Sequence, residues 1–421
     1  MGAESNGVLS KANDEAARRI CEADPVVVDI KPAGEVVPGM TEQKILTSGA
    51  PLEWGQYTGG QRRAVIYGAL FEGLATDEED ADAKLSSGEI ELGICHAHGC
   101  VGSVAGIYTA SMPVFVVENR SMGNTGFCNL YEGESRRRLN YGVYDDGVRD
   151  GLLFLEEVVA PVLRAAILRA DGVELKPLIR RALHMGDELH SRNTAGSALF
   201  LRALTPHLLE LAQAGDVDGD ALRRTVAFLD ESDYFFLRLS MAAAKAAADG
   251  AHGVAGSSVV TAMTISCLDY AIRVSGMGDE WFRGPHPTVE AHLFDGYTDD
   301  DVQWIGGESH ITETVGLGGF AQAAAFALQR YQGGSAQEMA RMNEEMYGIT
   351  VAEHPVYKIP YFGYRGTPVG IDLHKVVETG VVPVIDGGLA GKDGGQIGAG
   401  ILKAPIESFV AARDAMNAVG A

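Results

Sequence analysis

The chain has 421 residues, of which 46% are hydrophobic, and its formal net charge at pH 7 is −23. At roughly 150 residues per domain, this length predicts two or three domains with ample apolar material for their cores. The acidic charge argues against nucleic acid and anionic membranes as partners. The cysteines form no CxxC pair and the polar start lacks an apolar signal region, so we expect a cytoplasmic protein with free thiols.

The first 145 residues alternate strand-like and helix-like segments, which predicts an α/β domain over residues 1–145. β-Branched and apolar runs predict the strands, and apolar residues at helical spacing predict the helices. The expected strands are Val26–Ile30, Lys44–Thr47, Ile90–Cys95 and Pro113–Glu118, and the expected helices are Gln61–Leu74 and Glu78–Leu85.

Residues 146–250 have almost only helical periodicity, and strand signals return over residues 251–421. We therefore expect a mixed α/β multidomain protein with an N-terminal α/β domain, a central helical domain and a C-terminal α+β domain. The expected central helices are Val148–Ala170, Leu175–Leu204, His207–Gln213, Ala221–Leu229 and Tyr234–Ala248. The expected C-terminal strands are Ser258–Cys267, Val289–Phe294 and Val381–Ile385, and the helices are Phe320–Tyr331, Ala336–Tyr347 and Glu407–Ala418.

The first candidate site is the polar segment His184–Asn193 inside an otherwise apolar expected helix, with an interruption at Gly186 as the alternative. Buried unpaired charges are costly, so such a cluster is exposed, internally paired or functional. His184 and Glu188 are four residues apart, which suits two metal ligands or a base with its orienting carboxylate. The alternative is a solvated face with a Glu188–Arg192 ion pair. On a continuous helix one face would carry His184, Asp187, Glu188 and Ser191, with His190 at its edge.

The second candidate site lies where two expected strands end. His96 and His98 follow one of them, and Asn119 follows the other. Ligands collect at strand ends in α/β sheets, and the glycines after His98 suit contacts to an oxyanion or phosphate. The cysteines beside the histidines also resemble a metal cluster by composition. The alternative is a pair of partly buried histidines bonded to backbone.

Two glycine-rich segments are further candidates for anion binding. The first precedes the expected helix Phe320–Leu328, where small residues let backbone amides approach an anion at a helix start. The second, Gly387–Gly400, follows a strand and contains a single cation, Lys392. The alternatives are a tight helix cap and a mobile surface loop. The residues of interest in the first segment are Thr312, Glu313, Thr314, Gly316, Gly318 and Gly319.

Four segments together resemble the YahG/YlbE-like family, namely His184–Asn193, Ile311–Ala321, Gly366–Asp372 and Gly394–Gly400. Some members of that family resemble the AllG subunit of oxamate carbamoyltransferase. The resemblance implies transfer of a carbamoyl group between oxalurate, phosphate and oxamate, together with FdrA-like and YlbF-like partner subunits. It also implies α/β domains combined with a helical domain.

Carbamoyl transfer needs an anion site, donors for an oxyanion, a cation and a proton shuttle. We expect the candidates to converge on one pocket, without a cofactor or metal, in a chain that could form a homo-oligomer. A non-catalytic scaffold subunit and a metal-dependent C–N hydrolase are the alternatives. The candidate catalytic residues are His98, His184, Glu188 and His190. The candidate substrate- or anion-binding residues are His96, Asn119, Asp187, Arg192, Asn193, Thr312, Glu313, Thr314, Gly316, Gly318, Gly319 and Lys392.

Overall fold

The structure, a computed structural model, describes residues 3–419, so residues 1–2 and 420–421 of the outer expected domains lie outside it. The chain is mixed α/β. The helices are α1 Ala3–Glu22, α2 Ala33–Val36, α3 Gly59–Phe71, α4 Glu78–Ser87, α5 Asp146–Phe154, α6 Ala160–Arg169, α7 Leu175–His184, α8 Thr194–Ala214, α9 Gly219–Glu231, α10 Phe236–Gly250, α11 Ile311–Thr314, α12 Gln329–Gln332, α13 Ala336–Met346, α14 Leu373–Thr379 and α15 Ile406–Val419.

The strands form two four-stranded sheets and three smaller ones. The N-terminal sheet has the order β5-β4-β1-β6, and the C-terminal sheet has the order β10-β15-β14-β11. The strands are β1 Pro25–Pro32, β2 Lys44–Thr47, β3 Glu91–Ile94, β4 Pro113–Asn119, β5 Asn124–Asn129, β6 Val173–Glu174, β7 Val260–Ile265, β8 Tyr270–Val274, β9 Trp281–Gly284, β10 Thr288–Leu293, β11 Val302–Gln303, β12 Thr350–Ile359, β13 Arg365–Ile371, β14 Val384–Gly391 and β15 Gln396–Lys403.

Helix α10 is the central element of the larger hydrophobic core. Its residues from Phe236 to Ala248 are all buried, and its backbone lies directly against strand β5. A Cβ atom at Gly126 of β5 would lie 2.5 Å from the carbonyl oxygen of Ala242, so only glycine permits this approach. The small alanines of α10 serve the same purpose, because close packing of helix on sheet requires small side chains. Arg238, in the first turn of α10, is therefore buried.

Two expected helices are wrong over part of their length. The expected helix Leu175–Leu204 is two helices, α7 and α8, separated by a loop over residues 185–193. Gly186 has φ +102° and Leu189 has φ +73°, which a right-handed helix does not allow. The helical face on which we expected His184 and Glu188 to act together therefore does not exist.

The expected helix Phe320–Tyr331 is a series of short 3₁₀ turns that ends in the four residues of α12. Side chains take the backbone donors that a helix would use. The Asn343 side chain, for example, accepts from the Ala323 amide at 3.0 Å and donates to the Phe320 carbonyl at 2.8 Å. The glycine run therefore does not begin a regular helix, and the helix-dipole argument for anion binding there is wrong.

The largest core draws on all three expected domains. It includes Val27 from the N-terminal range, Leu163 from the central range, and Val315 and Val369 from the C-terminal range. The boundaries at residues 145 and 250 remain predictions. Among the described residues, no helix is both long and apolar enough to cross a membrane.

Candidate functional site

A cavity of about 260 Å³ lies among segments that are distant in the sequence. Its walls come from the loop over residues 131–141, the loop over residues 185–193, the first turn of α10, residues 302–310, and strands β14 and β15. This volume suits a small metabolite rather than a polymer. The side chains that matter below are His190, Ser309, His310, Arg138, Arg238 and Asp386, which all line the cavity.

His190 is at the centre of a hydrogen-bonded chain of three side chains. Its Nδ1 atom lies 2.8 Å from Oε1 of Glu313, and its Nε2 atom lies 2.7 Å from Oγ of Ser309. Glu313 is fully buried and His190 is 4% exposed, whereas Ser309 is half-buried at the cavity wall. A hydroxyl, an imidazole and a carboxylate in this order form a unit that can move a proton.

The electrostatic environment determines which atoms carry the protons in the hydrogen-bonded group of Ser309, His190 and Glu313. The buried Glu313 carboxyl faces His190, whose charge and hydrogen bond more than offset the effect of burial and lower the pKa of Glu313. Burial alone would lower the pKa of His190, but the charge of Glu313 raises it. An ionised carboxylate can only accept, so Nδ1 carries the proton and Nε2 accepts from the Ser309 hydroxyl when the ring is neutral.

Glu313 is held in place by the glycine run that follows it. The amide of Gly319 donates to its Oε1 at 3.0 Å, and the amide of Asp386 does so at 3.2 Å. A Cβ atom at Gly318, where φ is +58°, would lie 2.2 Å from the same oxygen. The Gly318 amide itself donates to the carbonyl of Glu188 at 2.8 Å. Gly318 and Gly319 therefore enclose a carboxylate of the protein itself, which takes the Gly319 amide that we expected an external anion to take.

Glu188 organises the loop that carries His190. Its carboxylate accepts hydrogen bonds from the amides of His190, Ser191 and Arg192. Leu189, between the two, adopts a left-handed conformation while fully buried, which costs about 1–3 kcal/mol and is typical of functional turns. Glu188 therefore holds the loop in the conformation that places His190.

Two buried arginines line the cavity, which Glu132 and Glu134 line as well. Arg238 is 2% exposed and Arg138 is 9% exposed, and neither forms an ion pair with a carboxylate of the described residues. The Nε atoms of both have no hydrogen-bond partner in residues 3–419. Arg238 donates to the Asn129 side chain at 2.9 Å, and Arg138 stacks on the ring of Tyr141 at 4.8 Å. The carboxylates of Glu132 and Glu134 act on Arg138, whereas Arg238 has no carboxylate partner among the described residues. A buried guanidinium without a counter-charge is costly, which indicates an anionic ligand beside Arg238.

Asp386 and His310 add polar groups of different character. Burial and the charge of Glu313 raise the pKa of Asp386 to about 7, and its Oδ2 atom has no partner among the described residues. Burial lowers the pKa of His310 to about 3, so its imidazole is neutral. Its Nε2 atom also lacks a partner in the part of the chain that the structure describes. Both groups can therefore form hydrogen bonds with a ligand.

Hydrogen bonds of the two preceding residues fix the position of Ser309. Gly307 pairs with Ile265 at the end of β7 through hydrogen bonds of 2.8 and 3.0 Å. The carboxylate of Glu308 accepts from the amides of Gly49 and Gly102 at 3.2 and 2.8 Å. Glu308 is itself fully buried, and burial raises its pKa to about 7.

Three of the expected anion-binding residues instead stabilise the loop over residues 185–193. Asp187 accepts from the Gly196 amide at 2.8 Å, at the start of α8. Arg192 donates to the Gly186 carbonyl at 3.1 Å, and Asn193 donates to the His190 carbonyl at 2.9 Å. None of the three lines the cavity.

Other expected residues lie away from the cavity. His184 is exposed and packs against Tyr364, because α7 ends there and the chain turns inward only afterwards. His98 bonds to the Pro38 carbonyl at 2.6 Å, and Lys392 is exposed in a turn. Asn119 is buried and its side chain bonds to backbone groups. For example, its Oδ1 atom accepts from the Asp24 amide at 3.0 Å. The structure does not bring these four residues to the cavity.

The remaining expected residues do not line the cavity but lie close to residues of the site. His96 is buried beside Lys245 at 3.1 Å and Glu308 at 3.8 Å. Thr312 lies 2.9 Å from Oε2 of Glu313, and Thr314 donates to the Ile311 carbonyl at 2.6 Å. A Cβ atom at Gly316 would lie 2.7 Å from Oγ1 of Thr367, so this glycine permits close packing. Within residues 3–419, no cluster of three or more His, Cys, Asp or Glu side chains could hold a metal ion.

Sequence reasoning missed Ser309, Arg138, Arg238 and Asp386. Two of these had a signal in the sequence. Arg138 ends the longest run of cations in a strongly acidic chain, Arg136-Arg-Arg138, and such a run needs a reason. Arg238 in an alanine-rich helix gave a weaker signal, whereas Ser309 and Asp386 depend on tertiary contacts.

Comparisons with known proteins identify relatives that match nearly the whole chain and a family model that matches its central part. A family model described as "Oxamate carbamoyltransferase subunit AllG" matches residues 90–309. The oxamate carbamoyltransferase subunit AllG of Escherichia coli (strain K12) is 38% identical over 413 residues, covering 97% of each chain. The uncharacterized protein YahG of the same strain is 40% identical over 403 residues, covering 95% of this chain and 84% of that protein. A conserved protein of unknown function from Enterococcus faecalis V583 has a crystal structure with a TM-score of 0.94 and 40% identity, covering 98% of this chain and 99% of that one.

Proposed function

The chain belongs to the AllG family, and we propose that it is the subunit of a carbamoyltransferase that binds small ureido- or oxamate-type anions with phosphate or carbamoyl phosphate. The matches to the family model and to AllG confirm the family resemblance that the sequence predicted. The observation that carries the proposal is the pair of buried guanidinium groups of Arg138 and Arg238 in the cavity of His190, of which Arg238 has no carboxylate partner within residues 3–419. They supply local attraction for an anion inside a protein whose net charge is −23.

The cavity contains the groups that carbamoyl transfer requires. Guanidinium groups bind carboxylate and phosphate oxygens through paired N–H donors. The neutral imidazole of His190, oriented by Glu313, can take the proton that the attacking nitrogen loses. The Oδ2 atom of Asp386, which has no partner in the described residues, can accept from the NH₂ of the carbamoyl group. The cavity volume of about 260 Å³ accommodates reactants of this size.

We further propose that the chain works with partner subunits of the FdrA-like and YlbF-like kinds, in the cytoplasm. The word "subunit" in the name of the relative AllG supports an assembly. All five cysteines are free, which suits a reducing compartment. Homo-oligomerisation is compatible with this assembly.

The proposal is tested with Arg238→Met in the chain co-expressed with its partner subunits. Phosphorolysis of oxalurate, followed as carbamoyl phosphate formation, should lose about 10²-fold or more in kcat/KM, because a buried hydrogen-bonded charge contributes about 2–5 kcal/mol to anion binding. Arg223→Ala is the matched control, since the Arg223 side chain is 72% exposed on α9. Full activity of Arg238→Met would contradict the anion site.

The same assay separates the alternatives. A complex that keeps its activity with both Arg238→Met and His190→Gln would make this chain a scaffold. If activity is lost on dialysis against a chelator and restored by a stoichiometric transition metal, the protein would instead be a metal-dependent C–N hydrolase.

A further inference from the structure

We propose that Ser309 is a nucleophile that carries the carbamoyl group as an O-carbamoyl ester between donor and acceptor. The inference rests on the proposed function for the identity of the group that is carried. It adds a covalent step that neither the family description nor the relatives' names contain. Four observations support it, namely the Ser309–His190–Glu313 contacts, the exposure of Ser309, the rigidity of its segment and the neighbouring amides.

The contacts are those of an activated hydroxyl. The Ser309 Oγ atom lies 2.7 Å from Nε2 of His190, and Nδ1 of the same ring lies 2.8 Å from the Glu313 carboxylate. A serine hydroxyl is a weak nucleophile at neutral pH unless an adjacent base takes its proton. Because Glu313 fixes Nδ1 as the protonated nitrogen, the lone pair of Nε2 points at Oγ, the geometry that proton removal requires.

Accessibility separates Ser309 from a purely structural partner of the histidine. His190 and Glu313 are buried, but Ser309 is half-buried and its exposed part lies at the cavity wall. A hydroxyl needed only to hold the imidazole could be fully enclosed. Ser309 lines the same cavity as Arg138 and Arg238, where the carbamoyl donor is proposed to bind.

Stabilisation of a tetrahedral oxyanion requires unused donors next to the nucleophile. Within residues 3–419, neither the Ser309 amide nor the His310 amide donates to a protein acceptor. The amide of a nucleophilic residue and that of the following residue commonly serve this purpose in serine enzymes. The bonds of Gly307 and Glu308 hold the segment in place, so these donors need little reorganisation.

The atoms of the two steps balance without an additional reactant. In the first step, Oγ bonds to the carbamoyl carbon, the carbon–oxygen bond to phosphate breaks, and the hydroxyl proton passes through His190 to the departing phosphate. In the second step, the acceptor nitrogen bonds to the same carbon and its proton passes to His190. The bond to Oγ then breaks, and His190 returns that proton to Ser309. No electron is gained or lost overall.

The test uses the full-length chain alone, with p-nitrophenyl carbamate as an activated carbamoyl donor. This probe needs neither phosphate nor partner subunits. We expect a burst of one equivalent of p-nitrophenolate per chain and a peptide with one added carbamoyl group at Ser309 by mass spectrometry. His190→Gln should slow the burst by about 10²–10⁴-fold, because general-base assistance is lost.

Two variants keep the test decisive. Ser309→Ala should remove the burst and the modified peptide, while Ser309→Cys should restore a modification at position 309. Ser87→Ala is the control, since Ser87 is exposed at the end of α4 and does not line the cavity, and this variant should still be modified at Ser309. Circular dichroism of each variant shows whether the fold is retained.

The outcomes for the nucleophile and for the proposed function are distinguishable. An absent burst with a complex that still transfers carbamoyl groups would overturn the covalent step and leave the transferase in place. Modification at a residue other than Ser309 would overturn it equally. A modified Ser309 with no transfer by any complex would support the nucleophile and contradict the carbamoyltransferase.

Discussion

Replacing Asp386 with asparagine should stabilise the protein at alkaline pH. Asp386 is fully buried, and burial together with Glu313 raises its pKa from 3.8 to about 7. Between these values the unfolded chain releases the proton and the folded protein retains it, so stability falls as pH rises. At about 1.4 kcal/mol per pH unit, the penalty above pH 7 reaches about 4 kcal/mol.

Asparagine is a close match in shape and in hydrogen bonding. Its side-chain oxygen can still accept from Gln322, as Oδ1 of Asp386 does, and the amide nitrogen takes the place of an oxygen without a described partner. Asp386→Asn should therefore remove the ionisation penalty without creating a cavity. The gain in the free energy of unfolding should be about 3 kcal/mol larger at pH 8 than at pH 5.

The assay is urea unfolding followed by circular dichroism at both pH values. Asp279→Asn is the control, because that side chain is fully exposed, and it should leave stability unchanged at both. A loss of stability in Asp386→Asn at pH 8, or an equal gain at pH 5 and pH 8, would refute the reasoning. Activity should fall in the same variant, since a stabilising change at a functional site commonly costs function.

Two further substitutions test the group around Glu313. Glu313→Gln should lower kcat/KM by about 10²–10⁴-fold and move the acid limb of the pH–rate profile to lower pH, because the charge that raises the pKa of His190 is lost. An unmoved limb would mean that Glu313 does not tune the base. Gly318→Ala should reduce the free energy of unfolding by about 2–4 kcal/mol, since its Cβ would lie 2.2 Å from Glu313 where φ is +58°. Gly215→Ala is the control by thermal unfolding, because φ there is +71° with no atom within 4 Å, and equal losses in both would refute the steric argument.

Periodicity predicted most of the helices and fewer than half of the strands, because it detects only elements that bury one face locally. The expected strands at Val26–Ile30 and Pro113–Glu118 are confirmed within β1 and β4, and the helix at Glu407–Ala418 is confirmed as α15. The break between α7 and α8 was predicted only as an alternative at Gly186, since only the structure shows that the Glu188 carboxylate competes with the helix for three amides. Propensity scales do not contain such a competition.

The candidate site was predicted in part, and the reason differs from residue to residue. His190 and Glu313 stood out because polar residues in apolar surroundings need a purpose, yet 123 positions separate them and only the fold shows their contact. Ser309 carried no sequence signal, because a serine near a helix start is usually a cap. The glycines after Glu313 were noticed for the right property, close approach of backbone to an anion, although that anion belongs to the protein.

The position of Arg238 on a helix enclosed from every side has a consequence for binding kinetics. A surface arginine loses about 2 kcal/mol of rotamer entropy when a ligand immobilises it. Arg238 is already immobilised by Asn129 and by the surrounding core in the folded protein, so this loss belongs to folding and not to binding. We therefore expect an anion to dissociate more slowly from this fixed guanidinium than from a surface arginine, which gives a long residence time for so small a ligand.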